Sequence, residues 1–297
     1  MSQPRVGIVV RTKNRSWFLR RALNDIAAQD YSAWRAVVVN DGGDPAAVEA
    51  VLAGLPSDIS RRVDVLHNEH PHGRSAAANE GLRAVNTEFV VLHDDDDLWT
   101  PTFLSETVRW LDEHDDDVGV MARTEIVYEV QRGDGYVAVD RAAFWPQLSA
   151  ITYSDLLQVN RAVPICFLYR RAIHDEVGFY REDLHAVEDW DFYLRLTLRH
   201  HIALLDGPPL AFWMQRASAS GDDGNSMFVL AGEHEKYDKM VRDEALRAYV
   251  AAHGPGLPLY LTHFIQEEVE RQLHARHSLA SLVVSQLRRW RYRRRSR

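Results

Sequence analysis

The chain has one cysteine, Cys166, among 297 residues, so it forms no intrachain disulfide, and a reducing compartment is the simplest expectation. A small buried hydrophobe is the expected role of that cysteine, ahead of a nucleophile. Broad basic charge is also missing. The net charge of −8 excludes a general nucleic-acid binder, whose face must be positive to meet phosphates. No apolar run approaches the ~20 residues that span a bilayer. The N-terminus shows no basic segment, long apolar stretch or small-residue cleavage site, so no signal peptide is expected. These absences predict a cytoplasmic protein that meets a membrane, if at all, peripherally at its inner face. What is present suits a real core: 46% of residues are hydrophobic and 26% charged, as in ordinary soluble domains.

The first hundred residues alternate short apolar runs with helix-like segments, the pattern of βαβ units and a parallel sheet. Strands are expected at Val6 to Val10, Ala36 to Val39, Val63 to Leu66 and Phe89 to Leu92. Helices are expected from Trp17 to Gln29, capped by Asn14 or Ser16, from Ser75 to Val85, and from a Thr100-Pro101 start to about Glu113. Beyond Val118 the pattern weakens. Strands are predicted at Val118 to Met121 and Glu125 to Val130, beside the Arg132-Gly133-Asp134-Gly135 turn, and at Ile165 to Tyr169. A helix is predicted from about Glu188 to His200. Residues 216–226 read as a mobile loop, and the chain from Leu230 onward as helical.

Position singles out the run Asp94-Asp95-Asp96-Asp97. Asp41 and Asp94 directly follow predicted parallel strands, and Arg11-Thr12-Lys13 follows the first one. In open α/β sheets ligands bind outside the carboxyl ends of the strands. In extended chain, residues two apart point to the same side, so Asp94 and Asp96 face one point and Asp95 another. Two converging carboxylates repel unless a cation lies between them, and a hard divalent ion, Mg²⁺ or Mn²⁺, suits that place with phosphate oxygens completing its shell. A solvated acidic loop is the competing reading.

The segment Asp94 to Pro101 (DDDDLWTP) resembles the Asp-x-Asp-Asp-x-Trp-x-Pro motif of glycosyltransferase family 2, inverting enzymes with a GT-A fold. VGIVVRTKNR (6–15), VVVNDG (37–42), GRSAAANEGL (73–82) and the stretch 178–196 ending in Glu188-Asp189-Trp190-Asp191 are similar to that family in the same order. The resemblance covers roughly residues 5–213. It implies an α/β chain with a Rossmann-like, mostly parallel sheet flanked by helices: a GT-A domain over 1–228, with a nucleotide-binding half to about 115 and an acceptor-binding half over 116–228. A helical C-terminal extension would occupy 229–297.

The resemblance also implies roles. Asp96 would ligate the metal, while Asp94 or Asp95 would hold the ribose and sugar of a nucleotide-sugar donor, with UDP as the expected nucleotide. Asp41 would accept from the base ring N–H, and Arg11, Thr12 and Lys13 would border the nucleotide. Arg74 would serve the diphosphate, although many relatives carry the arginine where this chain has Ala78. Asp189 would be the general base, with Glu188 and Trp190 toward a glycan, lipid-linked or small-molecule hydroxyl acceptor. Asp97 would be structural. A histidine that relatives add to the metal has no counterpart in Ala211 to Ser220, and the nearest one downstream, His234, reads as a surface residue. Tyr128, Trp145 and Ile165 are candidate wall residues for the acceptor.

Near the C-terminus, Leu261, Phe264, Ile265, Val269 and Leu273 recur at helical spacing, which usually means packing. Leu279 to Trp290 continue that pattern into an end where seven of the last ten residues are Arg. A basic amphipathic terminus suits anionic lipid, and a solubilising tail is the equal alternative. Two rival functions remain at this point: a nucleotidyltransferase making nucleotide-sugars, although 11–15 lacks a glycine-rich phosphate loop, and a non-catalytic glycan- or nucleotide-binding module.

Overall fold

In the computed structural model, which describes residues 3–216 and 231–274, the run Val6–Thr12 becomes strand β1 with all seven residues buried. Apolar side chains on both faces mark a strand covered on both sides. β1 lies between β2 (Trp34–Asp41) and β4 (Phe89–Leu92), parallel to each. β3 (Val63–Asn68) extends the sheet past β2. On the far side come β9 (Phe167–Arg170), β6 (Gly119–Ala122) and β10 (Ile202–Leu205), giving the order β10-β6-β9-β4-β1-β2-β3. Within this sheet β9 alone runs against its neighbours, so the sheet is mostly parallel, as the sequence pattern predicts. Helices α1 (Ser16–Ala27), α2 (Pro45–Ala53), the single turn α3 (Ser57–Ser60), α4 (Arg74–Ala84) and α5 (Phe103–Glu113) connect the strands. α1 and α5 each bury one apolar stripe, Phe18, Leu19, Leu23 and Ile26 in the first and Phe103, Leu104, Val108 and Leu111 in the second, as amphipathic periodicity requires.

The acidic run carries the chain from this sheet to a second one. β5 (Leu98–Trp99) pairs with β11 (Ala211–Gln215), which pairs with β7 (Thr124–Arg132), and β7 forms a hairpin with β8 (Gly135–Ala143). Trp99 locks the crossing: its indole Nε1 donates to Ile165 O at 2.7 Å and its ring stacks on Phe103 at 4.4 Å. Three further helices, α6 (Tyr153–Gln158), α7 (Ile173–Val177) and α8 (Glu188–Thr197), complete the part of the chain that carries the cleft described below. Cys166 is buried as expected, and burial pushes its thiol up to about 11.

Several local expectations are corrected. Neither Asn14 nor Ser16 caps α1: Arg15 holds that position without a side-chain bond, and Asn14 adopts a left-handed turn at φ 56°. Thr100 and Pro101 form a turn before α5, because Thr100 N is committed to Leu210 O at 2.8 Å and the helix starts at Phe103. The predicted strand at Ile165 begins as a 3₁₀ turn, Pro164–Cys166, and becomes extended only at Phe167. Ile165 and Tyr128 are not cleft wall residues; Ile165 is core and Tyr128 belongs to β7.

The chain divides into two compact units, Met1–Asp238 and Lys239–Arg297. Helix α9 (Ala231–His253) begins in the first. In the second, residues 256–274 are helical, and Leu261, Phe264, Ile265, Val269 and Leu273 are exposed there instead of forming the expected packing face. The loop expected over 216–226, apart from Arg216, and the Arg-rich end lie outside the described residues. Among those residues, no helix is long and apolar enough to cross a membrane.

α4 packs over β1 and β2 through Gly81, where a Cβ would overlap Val9 Cγ1 and lie 3.2 Å from Val39 Cγ2. Gly81→Ala is therefore expected to destabilise the fold by about 1–3 kcal/mol, because overpacking must push helix from sheet. Thermal unfolding checks this; an unchanged or higher Tm contradicts the close contact.

Candidate active site

β1, β2 and β4 end on one rim, beside a cleft of about 1050 Å³, large enough for a nucleotide-sized ligand. Arg11, Thr12, Lys13, Asp41, Arg74, Asp94, Asp96, Glu188, Asp189 and Trp190 all line it. Residues far apart in sequence are thus brought together because strands β1, β2 and β4 and the N-terminus of α8 meet there.

Asp95 is the exception. It is fully buried beneath the cleft, with its carboxylate accepting from Thr12 Oγ1 at 2.7 Å and paired with Arg15. Burial, opposed by Arg15 and reinforced by Asp96, pushes its pKa up to about 6. The expected donor contact from Asp95 is corrected: its oxygens are spent on β1 and the turn after it. Asp94, by contrast, accepts two bonds from the Arg11 guanidinium on one oxygen, at 2.8 and 2.5 Å. Asp96 is shared by Arg15, at 3.3 Å, and Arg216. Burial works against its charge, yet these two guanidiniums hold its pKa below the usual carboxylate range. Asp97 accepts from Met214 N at 2.8 Å, tying the run to β11, and burial followed by repulsion from Asp96 raises its pKa.

Asp41 accepts from Asn68 Nδ2, His72 N and Gly73 N at 3.0, 2.7 and 2.9 Å. It thereby shapes the loop that enters α4. Gly73 sits at φ 98°, a conformation that glycine adopts without penalty, and sets Arg74 as the first residue of the helix. Arg74 reaches Glu188 at 3.5 Å, as does Arg11. Burial raises the Glu188 pKa, but Arg74 and Arg11 outweigh it, so the group stays ionised. Glu188 thus lines the cleft while paired with the two arginines beside Asp94. Lys13 is exposed at the cleft edge.

Asp189 has a different environment. Its carboxylate accepts from Asn160 Nδ2 at 2.9 Å and from Trp190 N at 2.8 Å. Burial, then repulsion from Glu188, pushes its pKa up to about 6. A carboxylate poised near neutral pH is suited to accept a proton. Trp190 is buried with its Nε1 donating to Leu156 O at 2.6 Å, so it is a rigid backing wall. His234 is half-buried at the cleft, not a surface residue as expected, and burial followed by Arg74 lowers its pKa.

Sequence reasoning assigned no role to three of the side chains here. Arg216 is buried between Asp96 and Glu129, reaching the latter at 3.2 Å. Arg21 bonds Glu129 and the Asp96 carbonyl oxygen, each at 2.6 Å. Asn160 comes from the poorly patterned stretch before the 3₁₀ turn. Arginines flanking buried acids carry no spacing signal; only the need to neutralise the acidic run pointed toward them. Among the described residues, no group of three or more His, Cys, Asp or Glu is arranged to hold a metal ion.

Comparison with known proteins gives the family and the fold. The family model described as Glycosyl transferase family 2 matches residues 7–178. The glycosyltransferase YwdF of Bacillus subtilis, itself uncharacterized, is 30% identical over 235 residues, covering 78% of this chain and 81% of that one. Among solved structures, S. aureus TarS 1-349 in complex with UDP superposes with a TM-score of 0.57 at 22% identity, over 71% of this chain and 60% of that one. Mannosyltransferase PcManGT from Pyrobaculum calidifontis, in complex with GDP-Man and Mn²⁺, gives a TM-score of 0.52 at 20% identity, over 74% of this chain and 59% of that one. The two structures share the fold, and this chain spans less than two thirds of either.

The buried network around Asp96 generates a stability test. Arg216→Met strips a guanidinium from Asp96 and Glu129, and breaking a buried pair on one side costs about 3–5 kcal/mol. Urea unfolding at pH 7 should show that loss, shrinking as pH falls and the orphaned carboxyls protonate. A loss that does not vary with pH would contradict the electrostatic account.

Proposed function

We propose, on the premise that the chain belongs to glycosyl transferase family 2 and is a glycosyltransferase, that it moves a sugar from a nucleoside-diphosphate sugar to a hydroxyl acceptor with inversion, using Asp189 as general base. UDP is the nucleotide we assign. The observation that carries this reading is the electrostatic contrast between Asp189 and three other acids of the cleft. Asp94, Asp96 and Glu188 are held by arginines, whereas the neutral donors Asn160 Nδ2 and Trp190 N bond Asp189, whose pKa is raised to about 6. Acids pushed apart in this way take different roles.

In this mechanism Asp41 borders the base, and Asp94 the ribose and sugar. Arg11, Thr12 and Lys13 flank the nucleotide, and Arg74, at the start of α4, meets the diphosphate where the helix dipole also favours an anion. Asp189 accepts the proton of the acceptor hydroxyl as its oxygen attacks the anomeric carbon. The bond to the diphosphate breaks on the opposite face, and the electron pair leaves with the nucleotide. The hard oxygens of Asp96 suit a divalent cation, Mn²⁺ or Mg²⁺, and Asp96 would hold it together with donor oxygens. When bound, such an ion would supply positive charge to stabilise the leaving diphosphate. Residues 1–115 form the nucleotide half of this arrangement and 116–228 the acceptor half, while 229–297 extends it. The rival nucleotidyltransferase and non-catalytic readings fall with the family assignment.

Release of nucleoside diphosphate from UDP-GlcNAc and GDP-Man, with and without Mn²⁺, tests the reading. Asp189→Asn is expected to lower kcat by at least ~10²-fold, the low end of general-base contributions. Wild-type kcat should rise with pH through about 6 and then level off. Full activity in Asp189→Asn, or a rate falling with pH over that range, contradicts the role.

The same shift has a stability consequence. A carboxyl whose pKa is raised in the folded state favours folding at low pH, and that contribution is lost as pH rises through about 6. Asp189→Asn should therefore raise Tm by several degrees at pH 8 and leave it unchanged at pH 4. A lower Tm at pH 8 contradicts the strained-carboxylate account.

A further inference from the structure

The side of the cleft beyond Asp189 carries a feature that the transfer mechanism leaves unused. Where β8 ends, Phe144 and Trp145 turn into the cleft wall, and Trp213 of β11 joins them. The Phe144 and Trp213 rings meet edge to face at 5.4 Å, and Phe144 and Trp145 at 6.1 Å. Trp145 holds a left-handed backbone at φ 47°. A bulky non-glycine residue rarely adopts that conformation, and such strain gathers at binding sites. The Arg161 guanidinium lies 4.0 Å from the centre of the Trp145 ring, which fixes the indole. Arg161 directly follows Asn160, which holds Asp189. The aromatic shelf is thus coupled to the proposed base through two adjacent residues.

Polar groups around the shelf are left without partners. Trp145 Nε1, Gln215 Nε2 and His234 Nε2 are buried atoms with no hydrogen bond among the described residues, and all three residues line the cleft. Buried polar atoms are nearly always paired, so an unpaired set at one cavity calls for a ligand that pairs them.

From this combination, and resting on the reading of the chain as a glycosyltransferase, we infer that the shelf is an acceptor subsite for a pyranose ring. A pyranose presents a flat face of C–H groups to an aromatic ring and a rim of hydroxyls to donors and acceptors. Both halves of that chemistry are present here. An alkyl chain would cover the aromatic faces and leave the indole, amide and imidazole nitrogens unsatisfied. An anionic acceptor group would meet Asp189 and Glu188. The acceptor is therefore itself a sugar, whose free hydroxyl the shelf directs toward Asp189.

Saturation-transfer NMR on the whole protein tests this, with methyl glycosides of glucose, galactose, mannose and N-acetylglucosamine as probes and 1-hexanol as the acyclic comparison. At least one glycoside should bind, with saturation strongest on the C–H protons of one ring face. Trp145→Ala should weaken it about ten-fold, a loss of the size expected for one aromatic contact. Trp145→Phe, which keeps the stack and removes only the N–H, should recover part of it, as should Trp213→Phe relative to Trp213→Ala. Binding unchanged in both alanine variants, no binding by any glycoside, or preference for 1-hexanol would each overturn the inference. Thermal stabilisation of wild type by UDP-GlcNAc or GDP-Man is read in parallel. Stabilisation by a nucleotide-sugar without glycoside binding defeats the subsite alone. Glycoside binding without any nucleotide-sugar response defeats the donor reading and leaves the subsite standing.

Discussion

The architecture depends on neutralising a buried acidic run. Asp94 to Asp97 leave the end of β4 and enter the second sheet at β5, so four carboxylates must pass between two layers of protein. Unpaired charge there is prohibitive. The chain answers with guanidiniums from three places: Arg11 at the end of β1, Arg15 at the entry to α1, and Arg216 just after β11. Asp97 instead binds the Met214 backbone. Each bond joins the run to a different element, so the arrangement that makes the charges tolerable also aligns the rim of the cleft.

That constraint explains what was legible. Strands β1 to β4 follow from β-branched runs and turn residues, most plainly β1 and β4, where burial on both faces leaves an unambiguous apolar pattern. The period of extended chain puts Asp94 and Asp96 on one side and Asp95 on the other, whereas the run is a turn in which Asp97 N donates to Asp94 O at 3.2 Å, with Asp94, Asp96 and Asp97 at the cleft and Asp95 buried beneath it. Helix starts were less legible. Asn14 and Thr100 look like caps, but their backbones are used by a left-handed turn and by a bond to Leu210. Local propensity lost to tertiary contacts in both cases.

The partners of the acids were the least legible part. Arg216, Arg21 and Asn160 lie far from the motifs in sequence, and nothing in a single chain's spacing says which arginine a folded carboxylate will meet. Glu188 shows the cost of that gap. Adjacent to Asp189, it reads as part of the acceptor side, whereas the structure turns it toward Arg11 and Arg74. Two neighbouring residues on one helix end thus meet opposite environments: one is held ionised by arginines, and the other is raised toward neutrality by burial.

In the proposed mechanism, the raised Asp189 carboxylate, set apart from acids held by arginines, has a stereochemical consequence. If one base acts from one face, as proposed, one displacement follows and the anomeric configuration is expected to invert. The most direct measurement is the anomeric proton coupling of the transferred sugar, read by NMR in the first product formed from a gluco-configured α-linked nucleotide-sugar. A β-linked product is the result this account predicts. An α-linked product would require a second displacement or a front-face path, and would contradict Asp189 as the lone base.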